Sequence, residues 1–114
     1  MLDAFKNLGN LGELLNNARQ VQGKIKQLQE EMTKRTFTAD AGGGMVTATV
    51  SGVLEVTAIK IDKSRVPDVN DTEMLEDLIV AAVRAAQAKA ANEMQTEMHK
   101  LTGGLGLPPG MLPG

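Results

Sequence analysis

The sequence predicts an α+β fold in which a long helix, a three-stranded antiparallel meander and a second long helix follow one another in one domain. Three observations carry that prediction. Apolar residues recur at steps of three and four between Leu11 and Met32, alternation of period two replaces them from Thr36 to Ile61, and helical spacing returns from Leu75 to Leu101.

In the first segment Leu11, Leu14, Ala18, Val21, Ile25, Leu28 and Met32 form a heptad seam, and Asn16, Gln20, Gln27 and Glu30 fill the other faces. No proline interrupts it, so one helix is predicted from about Leu11 to Lys34, after a loose start containing Gly9 and Gly12. Gly23 lies opposite the seam and weakens the helix slightly.

Three strands are predicted next, at 36–40, 46–50 and 55–61. Gly42-Gly43-Gly44 and Ser51-Gly52 separate them and supply residues that tolerate positive φ where hairpins turn. Val46, Ala48 and Val50 are expected to lie on a helix, and Thr47, Thr49 and Ser51 to face water.

After Pro67, the run Asn70-Asp71-Thr72 suits a helix cap, and Glu73, Glu76 and Asp77 sit near the positive end of the dipole. The second helix then runs to Gly103-Gly104 with alanine dominating its middle, which allows another backbone to come close. Residues 1–104 thus form the domain, and 105–114, with Pro108, Pro109 and Pro113, are expected to be a flexible tail. Two helices of this length overhang so small a sheet, which suggests projecting prongs.

Composition narrows the class. Phe5 and Phe37 are the only aromatic residues among 114, so the core is built from aliphatic side chains and methionine, and self-association is expected to complete it as a homodimer. Cysteine is absent, which excludes disulfides and thiolate metal sites. The first residues lack the pattern of a signal peptide and no segment approaches the ~18 apolar residues of a membrane span. A soluble cytoplasmic protein with no membrane partner is expected.

Little in the chain could run a reaction. His99 is the only histidine, which rules out a histidine cluster for metal binding or acid–base work within one chain. Ser51 and Ser64, the only serines, stand in turn-like contexts without a base at suitable spacing. The triple glycine precedes a strand rather than a helix, so it reads as a turn and not as a phosphate cradle. Glu73, Glu76 and Asp77 are explained by the helix dipole, and Met94 and Met98 by packing. No enzyme activity, metal or cofactor is expected.

Twelve Lys and Arg against 14 Asp and Glu give a net charge of −2, which by itself argues against a polyanionic partner unless the cations are gathered on one surface. Arg19 and Lys26, seven residues apart, share a side of the first helix, with Lys24 flanking and Lys34 and Arg35 at its end. That stripe reads either as a phosphate-facing surface or as a solvated face, since Glu30 to Lys34 and Glu31 to Arg35 have the spacing of intrahelical ion pairs. Lys60, Lys63 and Arg65 cluster after the third strand, as a basic patch or as a solubility feature. Arg84, Lys89 and Lys100 decorate the second helix.

A resemblance decides between these readings. The stretch Gly42-Gly43-Gly44-Met45-Val46-Thr47-Ala48-Thr49-Val50-Ser51-Gly52, followed by Ile59-Lys60-Ile61-Asp62, resembles the glycine-led strand pair of the YbaB/EbfC family. Glu73-Met74-Leu75-Glu76-Asp77-Leu78-Ile79 with Ala81-Ala82-Val83, Ala86 and Lys89-Ala90 is similar to that family's second-helix signature, and Leu101-Thr102-Gly103-Gly104-Leu105-Gly106-Leu107-Pro108 to its ending. Where many relatives carry an Asn-Asp pair, this chain has Arg84-Ala85.

The resemblance implies a tweezer-like homodimer whose helical arms flank a gap able to embrace double-stranded DNA, and a nucleoid-associated role in organising the chromosome. It turns the preference toward phosphate contact for Arg19, Lys24 and Lys26. Lys34, Arg35, Lys63, Arg65 and Arg84 complete the residues assigned to DNA. Lacking a helix-turn-helix, a zinc finger or a row of stacking aromatics, such a protein is expected to grip the backbone with little sequence choice. The rival expectation is a protein-binding scaffold for recombination or repair partners, in which DNA contact is incidental.

Overall fold

A computed structural model describes residues 2–103, with side chains from residue 11 onward. Helix α1 spans Leu2–Lys34, strands β1, β2 and β3 span Thr36–Ala41, Val46–Ser51 and Val56–Ile61, a short 3₁₀ helix covers Lys63–Arg65, and helix α2 spans Thr72–Gly103. The strands form an antiparallel sheet in the order β1-β2-β3, as a meander requires. The expected tail, 105–114, lies outside the described residues.

Helix α1 begins nine residues earlier than its apolar spacing suggested, at Leu2 rather than Leu11. Gly9 and Gly12 lie within it. Each glycine costs about 1 kcal/mol relative to alanine, but a helix nucleated downstream gains a hydrogen bond with each residue added, which offsets that cost.

Helix α2 starts where its cap was expected. Asp71 Oδ1 accepts the Met74 amide at 3.1 Å, and the Asp71 carbonyl accepts the Leu75 amide at 3.3 Å. The helix then lies across β1 and β2. Ala82, Ala86 and Ala90, one turn apart, are fully buried against Ala39, Val46, Ala48 and Val50. Small side chains on both surfaces let the helix backbone approach the sheet closely, and Phe37, Leu75, Leu78, Ile79 and Val83 seal the margins.

Of the two turns, the first matches expectation and the second differs. Gly42, Gly43 and Gly44 all have positive φ, as the first hairpin demands. At the second turn the positive φ belongs to Leu54, at 72°, and not to Gly52. Gly52 is needed for proximity instead: a Cβ there would fall on the Met32 carbonyl oxygen. Ser51, expected to face water with Thr47 and Thr49, is buried, because the chain folds back over it and its Oγ accepts the amides of Val53 and Glu55.

The molecule is drawn out, with extents of 78 × 23 × 18 Å. Its radius of gyration of 21.5 Å compares with about 13 Å for a compact chain of this length. The elongation comes from α1 and the second half of α2, which leave the sheet together as an antiparallel arm. Leu28 and Met32 of α1 are buried, while every residue from Leu11 to Gln20 is exposed.

Candidate nucleic-acid interface

Charge divides between the arm and the base in a way the total conceals. Residues 11–35 carry five cations, Arg19, Lys24, Lys26, Lys34 and Arg35, against three carboxylates. Residues 36–85, the sheet and the first half of α2, carry four cations against eight carboxylates. Lys89 and Lys100 balance Glu93 and Glu97 in the remainder of α2. The negative excess therefore sits at the base, and the arm is net positive.

Within the arm, Arg19 and Lys26 are exposed, lie seven residues apart on one side of α1, and form no salt bridge among the described residues. Lys34, in the last turn of α1, is exposed in the same way. Lys24 is placed differently. Two residues from Lys26, it is turned about 200° around the helix axis, and it lines the crevice between α1 and α2 with Gln27, Leu28, Glu31, Glu97 and Leu101. Its neighbours there include two carboxylates, so it does not extend the Arg19–Lys26 stripe.

Arg35 lies just beyond the helix end and turns toward α2. Its Nη1 is 3.3 Å from Glu93 Oε1 and 3.7 Å from Glu97 Oε1, and Lys100 adds a contact of 3.5 Å to Glu97. The intrahelical pairs expected from Glu30 to Lys34 and from Glu31 to Arg35 are not formed. Two glutamates one turn apart on α2 present a better-matched pair of acceptors to Arg35 than a single carboxylate on its own helix. Arg35 thereby ties the arm's two helices together.

At the base, the grouping of Lys60, Lys63 and Arg65 is interrupted by Asp62. Arg65 Nε is 3.2 Å from Asp62 Oδ2, and its Nη1 donates to the Gly43 carbonyl at 3.3 Å. Hydrogen bonding from the Ser64 hydroxyl, helped by the Ser64 amide and Arg65, holds the Asp62 carboxyl below its ordinary value. Asp62 thus stays anionic among these cations. Lys63 is exposed without a salt bridge among the described residues, and Arg84 is exposed one turn after Val80 on the sheet-packed half of α2.

Two features had no clear sequence signal. Lys89 reaches across to the edge of the sheet, where its Nζ donates to the Thr38 carbonyl at 2.9 Å and occupies an acceptor that an open edge would leave free. Strand β3 forms the other edge and escapes the cover of α2, so all six of its residues are exposed. Register places Val56, Ile59 and Ile61 opposite Val50, Ala48 and Val46, on the sheet face that α2 covers further along. With Val53 and Leu54 in the preceding turn they make an uncovered apolar patch.

Among the described residues, no group of three or more His, Cys, Asp or Glu could hold a metal ion, and no helix is long and apolar enough to cross a membrane.

Comparison with known proteins gives this arrangement a context. The model of the YbaB/EbfC DNA-binding family matches residues 7–105. A nucleoid-associated protein of Gemmatimonas aurantiaca is 50% identical over 107 residues, covering 94% of this chain and 95% of the relative. One from Clostridium acetobutylicum is 48% identical over 100 residues, covering 88% of each. The crystal structure of an uncharacterised protein from Helicobacter pylori aligns with a TM-score of 0.64 at 23% identity, over 80% of this chain and 91% of that one, a likeness of fold alone.

Proposed function

The chain belongs to the YbaB/EbfC DNA-binding family, and from that premise we propose that it is a nucleoid-associated protein that grips double-stranded DNA between the arms of a homodimer, with little choice of sequence. The observation that carries this reading is the separation of charge: an arm with more cations than carboxylates projects from an acidic base. A duplex approaching such a dimer is attracted to the arms and repelled by the base, so the field orients it.

Arg19 and Lys26 are the principal phosphate contacts, with Lys34 behind them on the same helix. Lys63 and Arg84 are peripheral because they lie on the acidic half. Lys24, Arg35 and Arg65 contribute less, since each has carboxylate neighbours to leave before it meets a phosphate. Rigid helices bearing cations fix position along the backbone but read no base edges, which is why sequence matters little.

The second copy is assigned to the uncovered face of β3. Val56, Ile59 and Ile61 continue the apolar face that α2 seals over β1 and β2, and pairing with another copy takes them out of water. Dimers along a duplex then bridge or compact it within the nucleoid. No reaction is assigned to the chain. The alternative of an adaptor for recombination or repair proteins is not favoured, because the family and the relatives are named for DNA and the nucleoid.

A gel-shift titration with unrelated duplexes at two salt concentrations tests the reading. Comparable affinities that fall steeply with salt are expected, and absence of binding at low salt defeats it.

A further inference from the structure

Gly23 stands in the interior of α1, where no contact among the described residues asks for glycine. The glycines of the first hairpin are held at positive φ, and Gly52 makes room for the Met32 carbonyl. Gly23 does neither. Its backbone is helical, and a Cβ added to it would meet no atom of the described residues within 4 Å. Alanine would fit and would favour the helix. Gly12 is equally open, but the described residues three and four positions from it, Leu15 and Asn16, carry no charge.

The surroundings of Gly23 are of another kind. Residues three and four positions away border it on the helix surface, and these are Arg19, Gln20, Lys26 and Gln27. All four are exposed, and Gln27 also lines the crevice with α2. Every one of them can donate a hydrogen bond to a phosphate oxygen, and none is a carboxylate. Glu30, one turn beyond Lys26, ends the cationic part of the stripe.

We propose that Gly23 is the seat of the DNA backbone on the arm: its missing side chain lets the sugar–phosphate chain lie against α1 between Arg19 and Lys26, so that both cations reach phosphates together. This position deepens the DNA-binding role proposed above and rests on it. Arg19 and Lys26 stand about 10 Å apart along the helix axis, with Gly23 between them. Ionic hydrogen bonds require approach to about 2.7–2.9 Å. A side chain at position 23 holds the backbone away from the helix and replaces such contacts with attraction that salt screens.

Charge favours DNA over a second copy of the chain as the occupant. Two copies related by a two-fold axis and meeting at this face would set Arg19 and Lys26 of one against the same cations of the other. No apolar side chain borders the glycine to compensate for that repulsion.

The test uses the full-length chain with Gly23→Ala and Gly23→Leu, titrated with a duplex of arbitrary sequence at several salt concentrations. Both variants are expected to unfold at the parent's temperature or above it, since alanine and leucine form helix better than glycine. Affinity is nevertheless expected to fall with side-chain size, by at least about tenfold for leucine, and the dependence on salt to become shallower. Sedimentation is expected to match the parent. If the parent binds and both variants bind as tightly, the seat is refuted while the DNA-binding role stands. Weakened binding accompanied by altered sedimentation also overturns the inference, because it assigns Gly23 to contact between copies. A parent that binds no duplex at low salt defeats the DNA-binding role itself and this inference with it.

Discussion

The amide of Gly52 donates to the carbonyl of Met32 at 2.9 Å, joining the turn between β2 and β3 to the last turn of α1. The same amide lies 3.1 Å from the Arg35 carbonyl, and a Cβ at Gly52 would fall on the Met32 carbonyl oxygen and within 2.8 Å of its Cβ. Backbone stands against backbone, so no rotamer change can relieve the clash. Gly52→Ala is expected to destabilise the protein by about 2–4 kcal/mol, read as a shift of the urea midpoint at fixed protein concentration. An unchanged midpoint means that α1 does not dock on this turn.

The contact between α2 and the sheet depends on side chains too small to hold the surfaces apart. Ala86 is fully buried in the middle of that contact. Ala86→Leu is expected to cost about 1–3 kcal/mol by overpacking, whereas the same change at exposed Ala88 is expected to leave thermal stability nearly unaltered.

Arg19 and Lys26 carry most of the proposed affinity for DNA. Replacing both by alanine removes four cations from the proposed dimer, and the slope of log affinity against log salt is expected to become shallower by up to about 3–4. Lys63→Ala is expected to change it far less. Equal effects from the two variants, in titrations across several salt concentrations, contradict the assignment to the arm.

Arg35 is predicted to behave as a tie between helices. Arg35→Gln is expected to cost about 1 kcal/mol or less, since its pairs with Glu93 and Glu97 are partly solvated. It is expected to weaken DNA binding less than Arg19→Gln does. A larger loss of affinity at Arg35 than at Arg19 reverses that ranking.

Ile59 is the centre of the face proposed to join two copies. It is 38% exposed in the single chain, so a charge there can be solvated without loss of the protomer's fold. Ile59→Asp is expected to give a folded species sedimenting near the 12.1 kDa of one chain. A variant that still sediments as a dimer moves the interface elsewhere.

The elements were legible because each rests on a local regularity. Seven-residue spacing on α1, alternation in the strands, the Asp71 cap and the triple-glycine turn are consequences of backbone geometry that neighbouring residues impose on one another. The cationic stripe was legible in part. Arg19 and Lys26 share a side because of their spacing, but Lys24 and Arg35 depend on where α2 passes, and that is set by contacts with residues at least 58 positions away along the chain.

Alone, the order of amino acids determined the helix–meander–helix plan, the alanine face of α2 and the excess of cations on α1, since short-range sterics and periodicity suffice for these. Only the tertiary structure decided that Gly52 serves proximity rather than turn conformation, that Arg35 joins the two helices, and that the apolar side chains of β3 and of Leu11 and Leu14 on α1 are exposed in the single chain. The physical reason is that burial and ion pairing depend on which distant surface arrives. The overlap of two helices of 33 and 32 residues with a sheet of six-residue strands is settled by packing in three dimensions, not by any residue's neighbours in the chain.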